Sequence, residues 1–304
     1  MQQDVHDALA SRFDTHRVVR ALRAVPPHEV WEVGVDGRRA VLKRDTGPTG
    51  NAAVEGRVTA FVGDRTSVPV PEVLHVGDDC YVAAWHPDAP APDAAETAGR
   101  SWARAAGRGL ATLHEETESL VGRYGRFDGA GGVLSVDGDA DWHAAAVDYV
   151  RRRRPAMDEH GHGAVADAVV DFLVDRPDAF AGADGPVCCH GWATPEHVAV
   201  DDGEVACVVD FEHALAAPGE FDYWRTVLPT FQGDEAGRRA FREGYESVRT
   251  LPSGFGHRRP LYVLLNEVYY VESLYVQNRL GAEEKRERAA WLEDRIRETV
   301  ERLR

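Results

Sequence analysis

Lysine is scarce in this sequence. Only two occur among 304 residues, Lys43 and Lys285, and arginine supplies every other permanent side-chain cation. The 35 basic residues are outnumbered by 51 acidic ones, which gives a formal net charge of −16. A surface of this sign repels nucleic-acid phosphate, so neither DNA nor RNA is an expected partner. The composition resembles that of cytoplasmic proteins from salt-loving microbes. We favour this halophilic interpretation over the alternative of GC-rich codon usage combined with an acidic surface.

Cysteines and long apolar runs are also few. The four cysteines include no C-x-x-C pair, so a structural zinc site or a disulfide framework is not expected; they are Cys80, Cys188, Cys189 and Cys207. We expect them to be small buried residues. No segment approaches the ~18 consecutive apolar residues that cross a bilayer, and the first residues lack the pattern of a signal peptide. The expected location is the cytoplasm, without a membrane partner.

Hydrophobic periodicity divides the chain into two unequal parts. Short alternating segments before residue 85 predict strands, including a hairpin around Asp36-Gly37. Apolar residues at three- and four-residue spacing predict helices at 53–62, 102–113, 164–174, 261–277 and 282–304. The proline-containing stretch His86 to Pro92 is the predicted linker. We therefore predict an α+β protein with a β-rich domain over residues 1–85 and a helical domain over residues 86–304.

A second Asp-Gly turn, at Asp202-Gly203, lies between two β-branched runs and predicts a hairpin of strands 198–200 and 205–209. Pairing Val198 with Val209 would place His197 opposite Asp210, about 5 Å apart at Cα. Two potential metal ligands from separate loops would then meet at the open end of the hairpin.

The same segment contains part of the protein-kinase signature, in which aspartate follows histidine by two positions and asparagine follows five later. The spacing is kept from His190 onwards, but Trp192 stands at the aspartate position and His197 at the asparagine position. Asp210-Phe211-Glu212 follows at the place of the metal-binding Asp-Phe-Gly. Two positions therefore match and two do not.

Lys43 ends the strand after the first Asp-Gly turn, where kinases carry the lysine that binds nucleotide phosphates. Glu55 lies in the following predicted helix, where the ion-pair partner of that lysine belongs. A solvated lysine on a strand edge is the alternative. Because the chain uses arginine for nearly every cation, a lysine retained here favours the functional interpretation.

The order and spacing of these segments resemble the aminoglycoside phosphotransferase and choline kinase-like family. The resemblance covers most of the chain, through Glu55, the segments 68–74 and 106–114, the His190-Gly191 loop, Asp210-Phe211-Glu212 and the segment 218–223. It implies a two-lobed protein-kinase-like fold, with a small antiparallel β-sheet N-lobe and a larger, mostly helical C-lobe. The implied activity is transfer of phosphate from ATP to a hydroxyl group of a small molecule.

The resemblance also implies roles for individual residues. Lys43 would bind the α- and β-phosphates of the nucleotide, with Glu55 orienting it. Asp210 would hold Mg²⁺, with Mn²⁺ as an alternative, and His197 would occupy the second metal-ligand position. Because Mg²⁺ prefers oxygen to imidazole nitrogen, His197 is an atypical ligand for it. The hinge from Ala84 to His86 would meet adenine, and Asp222 would brace the loop after Asp210.

Two departures bear on activity. Trp192 cannot accept a proton, and its ring is expected where the substrate hydroxyl approaches. The loss of the catalytic base and of substrate positioning together is worth ~10²–10⁴-fold in rate. His190 and Glu196 are the candidate surrogate bases. The turn Val25-Pro26-Pro27-His28 lacks the glycine that lets backbone amides approach phosphates. We predict an ATP-dependent phosphotransferase with slow turnover. The alternative is a pseudokinase that binds nucleotide or ligand without phosphoryl transfer. The third hypothesis is a kinase-fold scaffold that binds no nucleotide.

The acceptor is an unidentified small molecule, and the sequence names no protein partner. In the resembled family the acceptor site is built from the variable helical part, here roughly residues 120–180 and 225–280. Aromatic and acidic side chains occur there, namely Trp142, Tyr149, Glu267, Tyr270 and Glu272. An acidic pocket would suit a cationic acceptor, although acidic residues are expected everywhere in this chain. The basic run Arg151 to Arg154 is interpreted as a solvated helix end, with an anionic substrate as the alternative.

Overall fold

The computed structural model describes residues 2–47, 49–90, 98–277 and 280–304. Its N-terminal part is an antiparallel sheet of five strands in the order β1-β2-β3-β5-β4. The strands are β1 (His16–Val25), β2 (His28–Val35), β3 (Arg38–Asp45), β4 (Val73–Val76) and β5 (Cys80–Ala84). Helix α1 (Gln2–Ala10) precedes the sheet, and α2 (Ala52–Arg65) connects β3 to β4.

The C-terminal part contains most of the helices. These are α3 (Arg100–Thr117), α4 (Trp142–Asp158), α5 (Gly163–Val174), α6 (Gly219–Thr230), α7 (Glu235–Glu246), α8 (Phe255–Val276) and α9 (Ala282–Leu303). Its strands are β6 (Tyr124–Asp128), β7 (Ser135–Asp139), β8 (Pro186–Cys189), β9 (Val198–Asp201), β10 (Glu204–Val208) and β11 (Leu215–Pro218). Strands β9 and β10 form a hairpin, and the other four form a sheet in the order β7-β6-β11-β8.

The α+β class predicted from the sequence is confirmed. Both Asp-Gly turns have positive φ at both residues, 45° and 78° at Asp36-Gly37 and 46° and 79° at Asp202-Gly203. This is the two-residue hairpin geometry that favours glycine in the second position. The four-stranded sheet was not predicted, because its strands are only four or five residues long and lack clear alternation. The division at residues 85 and 86 stays a prediction, and residues 91 and 92 of the predicted linker lie outside the described residues.

Two large apolar clusters organise the C-terminal part. One joins α4, α5, α8 and α9 around fully buried residues such as Tyr262 and Leu264. The other contains Val58 and Val62 of α2 together with Leu110 and Leu113 of α3. Each such side chain stabilises the fold by about 1.5–3 kcal/mol. Helix α2 therefore packs against the C-terminal part as well as the sheet, and this fixes Glu55 at the junction of the two parts.

All four cysteines are buried and unbridged, as expected. Burial raises the pKa of the Cys188 thiol, which keeps it protonated. None of the helices within the described ranges is both long enough and apolar enough to cross a membrane.

Candidate active site

Lys43 lies at the centre of a cluster of carboxylates. Its Nζ is 2.7 Å from Glu55 Oε2, 2.6 Å from Asp210 Oδ1 and 2.9 Å from Glu212 Oε2. Burial alone would lower the pKa of Lys43, but Asp210 and the two glutamates outweigh it and raise the pKa well above its usual value. The structure therefore brings together the lysine, the glutamate and the aspartate that were singled out from the sequence, and adds Glu212.

The cluster suits a hard divalent cation. Burial opposes ionisation of Asp210, but Lys43 and His197 outweigh it and hold the pKa of this carboxyl well below its usual range. Burial likewise opposes ionisation of Glu212, and its contacts with Lys43 and His28 lower its pKa. Carboxylate oxygens are the donors that Mg²⁺ prefers. The residues present therefore fit a magnesium site at Asp210 and Glu212.

The turn between β1 and β2 contacts this cluster through His28. The Nδ1 of His28 is 3.1 Å from Glu212 Oε2, and its Nε2 is 3.3 Å from Asp45 Oδ1. Burial alone would lower the pKa of His28, but hydrogen bonds to Asp45 and Glu212 raise it to about 9. The glycine-free turn therefore presents an imidazolium, rather than backbone amides, beside the Lys43 cluster. In the sequence, His28 is recognisable only as the last residue of the turn Val25-Pro26-Pro27-His28, and no local pattern indicates this role.

Asp222 holds the loop that begins at His190. Its carboxylate, in α6, accepts hydrogen bonds from the backbone nitrogens of His190 (2.6 Å) and Gly191 (2.9 Å). Its Oδ2 is also 3.1 Å from His114 Nε2. Burial opposes ionisation of Asp222, but the hydrogen bond to His114 lowers its pKa. Asp222 therefore braces the His190 loop, whereas the family resemblance had suggested the loop after Asp210.

Gly191 lets the two loops touch. Its φ is +82°, and a Cβ built there would lie 2.0 Å from the backbone oxygen of His213. Both the positive φ and the close approach require glycine at this position. Through this contact the His190 loop packs directly against the short 3₁₀ turn Phe211–His213 that follows Asp210.

His197 and Asp210 meet, but not in the predicted register. Val198 pairs with Val208, after an irregularity between Val205 and Cys207, rather than with Val209. Asp210 then takes a left-handed conformation with φ 68°, and its Oδ2 lies 3.2 Å from His197 Nε2. The register prediction was wrong by one residue, because the single β-bulge between Val205 and Cys207 moves Val208, and not Val209, opposite Val198.

The hydrogen bonds of His197 indicate an imidazolium. Its Nδ1 is 2.9 Å from the Trp192 carbonyl oxygen, which can only accept, while Nε2 faces the Asp210 carboxylate. Burial alone would lower the pKa of His197, but Asp210 outweighs it and raises the pKa. Binding a metal through Nε2, the role predicted from the family pattern, would require His197 to lose this proton.

The Trp192 ring lies beside the cleft rather than across it. Its centroid is 6.0 Å from those of Tyr269 and Tyr270 in α8, and its Nε1 donates to Glu196 Oε1 at 3.2 Å. The ring does not line the two cavities described below. The ring therefore packs against the aromatic face of α8, and the expectation that it fills the acceptor's approach stays a prediction.

The two candidate surrogate bases differ in their surroundings. Both ring nitrogens of His190 are engaged: Nδ1 accepts from Trp192 N at 3.1 Å, and Nε2 donates to Val209 O at 2.9 Å. Burial lowers the pKa of His190 to about 4, so this imidazole is neutral and has no free nitrogen for a substrate. Glu196 is exposed and accepts the indole hydrogen bond of Trp192.

A cleft of about 680 Å³ opens over the Lys43 cluster. Lys43, Asp210, Glu212, His28 and His213 are among its lining residues. A smaller cavity of about 190 Å³ adjoins it towards α4 and shares Glu212 and His213 with it. The predicted hinge residues Ala84 and His86 line neither of these cavities.

The sheet face between Lys43 and the hinge is charged. Glu32, two residues beyond Val30 on the same face of β2, is bound by Arg20 at 2.8 Å and by Arg39 at 2.9 Å. The Arg39 guanidinium in turn lies 3.4 Å from the centroid of the Trp85 ring. The predicted adenine end of the site therefore carries an ion-pair network in place of an apolar surface.

His213 is the imidazole that lines both cavities. Its Nε2 is 3.2 Å from Glu212 Oε1 and 3.1 Å from the Tyr269 hydroxyl. Since the Glu212 carboxylate only accepts, Nε2 carries the proton and Nδ1 is the basic nitrogen. Burial lowers the pKa of His213 to about 3, so the ring is neutral near pH 7. The sequence offered only its proximity to Asp210 as a signal.

Comparisons with known proteins identify a family for the chain. Residues 26–261 match the model of the phosphotransferase enzyme family. This match spans most of the chain, and the protein belongs to that family. A search of curated protein sequences finds no significant match.

Three solved structures illustrate the likeness of fold. A protein assigned as a fructosamine-3-kinase from Thermobifida fusca YX-ER1 has a TM-score of 0.67 at 18% identity, covering 97% of this chain and 98% of that one. A thermostable aminoglycoside phosphotransferase APH(4)-Ia mutant, in complex with ADP and hygromycin B, has a TM-score of 0.66 at 15% identity, covering 98% of both chains. Macrolide 2′-phosphotransferase type I has a TM-score of 0.64 at 19% identity, covering 96% of this chain and 97% of that one. These likenesses confirm the predicted two-lobed, kinase-like fold.

Proposed function

We propose that this protein transfers the γ-phosphoryl group of ATP to a hydroxyl group of a small molecule, and that it does so in the cytoplasm of a halophilic organism. The observation that carries the proposal is the ion-paired Lys43–Glu55–Asp210 cluster beneath an open cleft. In kinases a lysine held by a glutamate binds the nucleotide phosphates, and an aspartate holds the metal. The nucleotide complex of the APH(4)-Ia structure, which has the same fold, supports the choice of donor.

The chain's own groups suit each part of the transfer. Lys43 would neutralise phosphate charge, with Glu55 keeping its ammonium in place. When bound at Asp210 and Glu212, Mg²⁺ or Mn²⁺ would supply further neutralisation of the phosphate oxygens. His28 adds a positive charge at the same edge of the cleft, in place of the amides of a glycine-rich turn.

Proton transfer needs an acceptor other than residue 192. We assign it to Nδ1 of His213, whose Nε2–H is fixed by Glu212 in the manner of a carboxylate–histidine pair. The acceptor hydroxyl forms the new oxygen–phosphorus bond, the bond between the γ-phosphorus and the bridging oxygen breaks, and ADP leaves. The proton of the acceptor hydroxyl passes to Nδ1 of His213. Because the pKa of His213 is low, it is a weak base, and slow turnover is the expected consequence.

Nucleotide binding tests the proposal directly. Thermal shift is measured with ATP, with and without Mg²⁺ or Mn²⁺, on the wild type and on Lys43→Met. We expect metal-dependent stabilisation that the variant loses. Lys285→Met is the matched control, because it removes the chain's other lysine at a position in α9 outside the cleft. No stabilisation of the wild type at millimolar nucleotide would reject the proposal.

Phosphoryl transfer is then followed with γ-labelled ATP across sugars, amino alcohols, hydroxy acids and aminoglycosides. We expect a labelled product with at least one acceptor class. ATP binding without transfer to any acceptor would instead favour the pseudokinase alternative, which rests on the absence of a carboxylate at Trp192.

A further inference from the structure

The residues that line the smaller cavity include more arginines than carboxylates, in contrast to the protein as a whole. Four arginines line the cavity, against two carboxylates, in a chain whose net charge is −16; the arginines are Arg126, Arg152, Arg153 and Arg225. Three of them have carboxylate partners. Asp137 lies 3.8 Å from Arg126 and 3.0 Å from Arg152, and Glu272 lies 3.1 Å from Arg153.

Arg225 is the exception. It is only 2% exposed, yet no carboxylate of the described residues lies within ion-pair distance of it. Its hydrogen bonds go to neutral acceptors, with Nε donating to the Gly191 carbonyl oxygen and Nη1 donating to Tyr149 Oη at 3.3 Å. A buried charge without a counter-ion is costly, and native proteins normally pair it.

The same place also has a surplus of hydrogen-bond donors. Within the part of the chain that the structure describes, Nη2 of Arg225 makes no hydrogen bond. The side-chain nitrogen of Asn266 is buried and likewise has no partner. The orientation of this amide is set by Arg225, whose Nη1 donates to Asn266 Oδ1 at 3.2 Å. Two donors and one positive charge therefore lack an acceptor and an anion.

We propose that the phosphate acceptor is a small hydroxy acid, and that its carboxylate binds Arg225 in this cavity. The inference rests on the proposed function, because the cavity adjoins the cleft above the Lys43 cluster. A carboxylate in the cavity supplies the missing charge and an acceptor for the Arg225 guanidinium, which lines the cavity, whereas Asn266 does not line it. Phosphate, as a dianion, would exceed the single unpaired guanidinium and would lie near Glu212 and Asp148, which also line the cavity.

The surroundings strengthen such a contact. The Arg225 guanidinium lies 3.8 Å from the centroid of the Tyr269 ring and 5.4 Å from that of Trp192. Trp142, Tyr149 and Phe221 line the cavity itself. Aromatic surroundings reduce access of water, so a charge-assisted hydrogen bond is stronger there than at an exposed arginine. His213 lines the same cavity, which places the assigned proton acceptor next to the acid's hydroxyl groups. The charge distribution thus favours an anionic acceptor, in contrast to the cationic one that an acidic pocket would suit.

Binding is measured by calorimetry in the presence of Mg²⁺ and a non-hydrolysable ATP analogue, and again without nucleotide. The probes are glycerate and gluconate, their neutral counterparts glycerol and glucose, and the cation ethanolamine. We expect at least one acid to bind about tenfold or more tightly than its neutral counterpart. If neither acid binds better than its counterpart, or if ethanolamine binds best, the inference is overturned.

Variants locate the contact. Arg225→Gln should weaken acid binding by roughly 10- to 100-fold, the range for a lost hydrogen bond to a charged group, and should leave glycerol and glucose unaffected. Arg154→Gln is the matched control, since Arg154 lies in α4 but pairs at 3.0 Å with exposed Asp167 outside the cavity. Circular dichroism verifies folding. If the Arg225→Gln variant does not fold, Arg225→Lys is used instead. It keeps the positive charge but loses the planar guanidinium with its several donors, so it should weaken acid binding by a smaller factor. Unchanged acid selectivity in a folded Arg225 variant would overturn the assignment.

This experiment separates the two proposals. Acid binding that depends on Arg225, without any effect of ATP on stability, would reject the proposed transfer and keep the anionic site. Transfer from ATP to neutral or cationic acceptors, without acid selectivity, would keep the transfer and reject the anionic site.

Discussion

The two sides of the cleft differ in how closely they keep the kinase pattern. On one side, Lys43 of β3 forms ion pairs of 2.7 Å with Glu55 of α2 and of 2.6 Å with Asp210, which follows β10. On the other side, Asp222 holds the backbone of the His190 loop, and Trp192 and His197 stand where the kinase signature has aspartate and asparagine. In the proposed mechanism, the backbone of this loop is kept while the reacting groups lie on a neighbouring segment. Here the neighbouring groups are Glu212 and His213, which follow Asp210 in the chain.

The largest expected effect comes from removing the brace of the His190 loop. Asp222→Ala should destabilise the protein by about 3–5 kcal/mol, because it leaves buried backbone donors and His114 without their anion. Urea unfolding at pH 7 measures this. Asp234→Ala is the control, since Asp234 also accepts from two backbone nitrogens but is exposed, as the N-cap of α7, where the loss is about 1 kcal/mol. Equal losses for the two variants would contradict a special role for Asp222.

The pH dependence of that effect has a definite sign. The folded-state pKa of Asp222 is lowered, so its contribution is present above the unfolded pKa of about 3.9 and is lost as the pH falls through the folded value. The difference between wild type and Asp222→Asn should therefore be constant near neutral pH and shrink below about pH 4. A difference that stays constant down to acidic pH would show that the hydrogen bonds, rather than the charge, dominate, and one that grows would contradict a lowered pKa of Asp222.

A substitution of Asp210 tests the side of the cleft that keeps the kinase pattern. Asp210→Asn should lower kcat/KM by about 10²–10³-fold, the range for losing one electrostatic contact in a transition state. It should also abolish the metal-dependent part of the ATP thermal shift. Asp201→Asn, at the exposed end of β9, removes the same charge and should change neither measurement. Activity that persists in Asp210→Asn would place the metal site elsewhere.

A substitution of Trp192 tests the side of the cleft that departs from the kinase pattern. Trp192→Asp should raise kcat by about 10²-fold, because a carboxylate returns to the loop as base and positioning group. His213→Ala in the wild-type background should lower kcat, whereas in Trp192→Asp it should have a much smaller effect. This coupling is measured from the single-turnover rates of four proteins: the wild type, Trp192→Asp, His213→Ala and the double variant. Additive effects of the two substitutions would mean that the two residues do not share one role.

The smallest expected effect concerns salt. Raising KCl from 0.1 to 1 M shortens the screening length from about 10 to about 3 Å and relieves repulsion among the 51 acidic residues. If the chain is halophilic, Tm should rise by roughly 2–4 °C, equivalent to ~1 kcal/mol for a protein of this size. Glycerol at matched viscosity is the control. A Tm that does not depend on salt would favour codon usage as the origin of the composition.

Local patterns in the sequence account for much of the fold. The Asp-Gly turns, the helix that carries Glu55, and the long amphipathic helices α3, α5 and α9 follow from turn chemistry and apolar periodicity alone. The four-stranded sheet and the bulge in the β9–β10 hairpin could not be predicted in this way. Short strands are stabilised by partners distant in sequence, and a bulge depends on what packs beside it.

The candidate site shows the same division. The sequence by itself determined that a lysine, a glutamate and an aspartate occur at kinase-like spacing, and that Trp192 replaces the usual base. Only the tertiary structure decided that the Trp192 ring lies against α8, that His28 and His213 both contact Glu212, and that Arg225 is buried without a counter-ion. The contact of Trp192 with Tyr269 and that of His28 with Glu212 join residues that are 77 and 184 positions apart in the chain. The reason is physical: charge compensation and burial depend on which distant groups the fold brings within a few ångströms of each other.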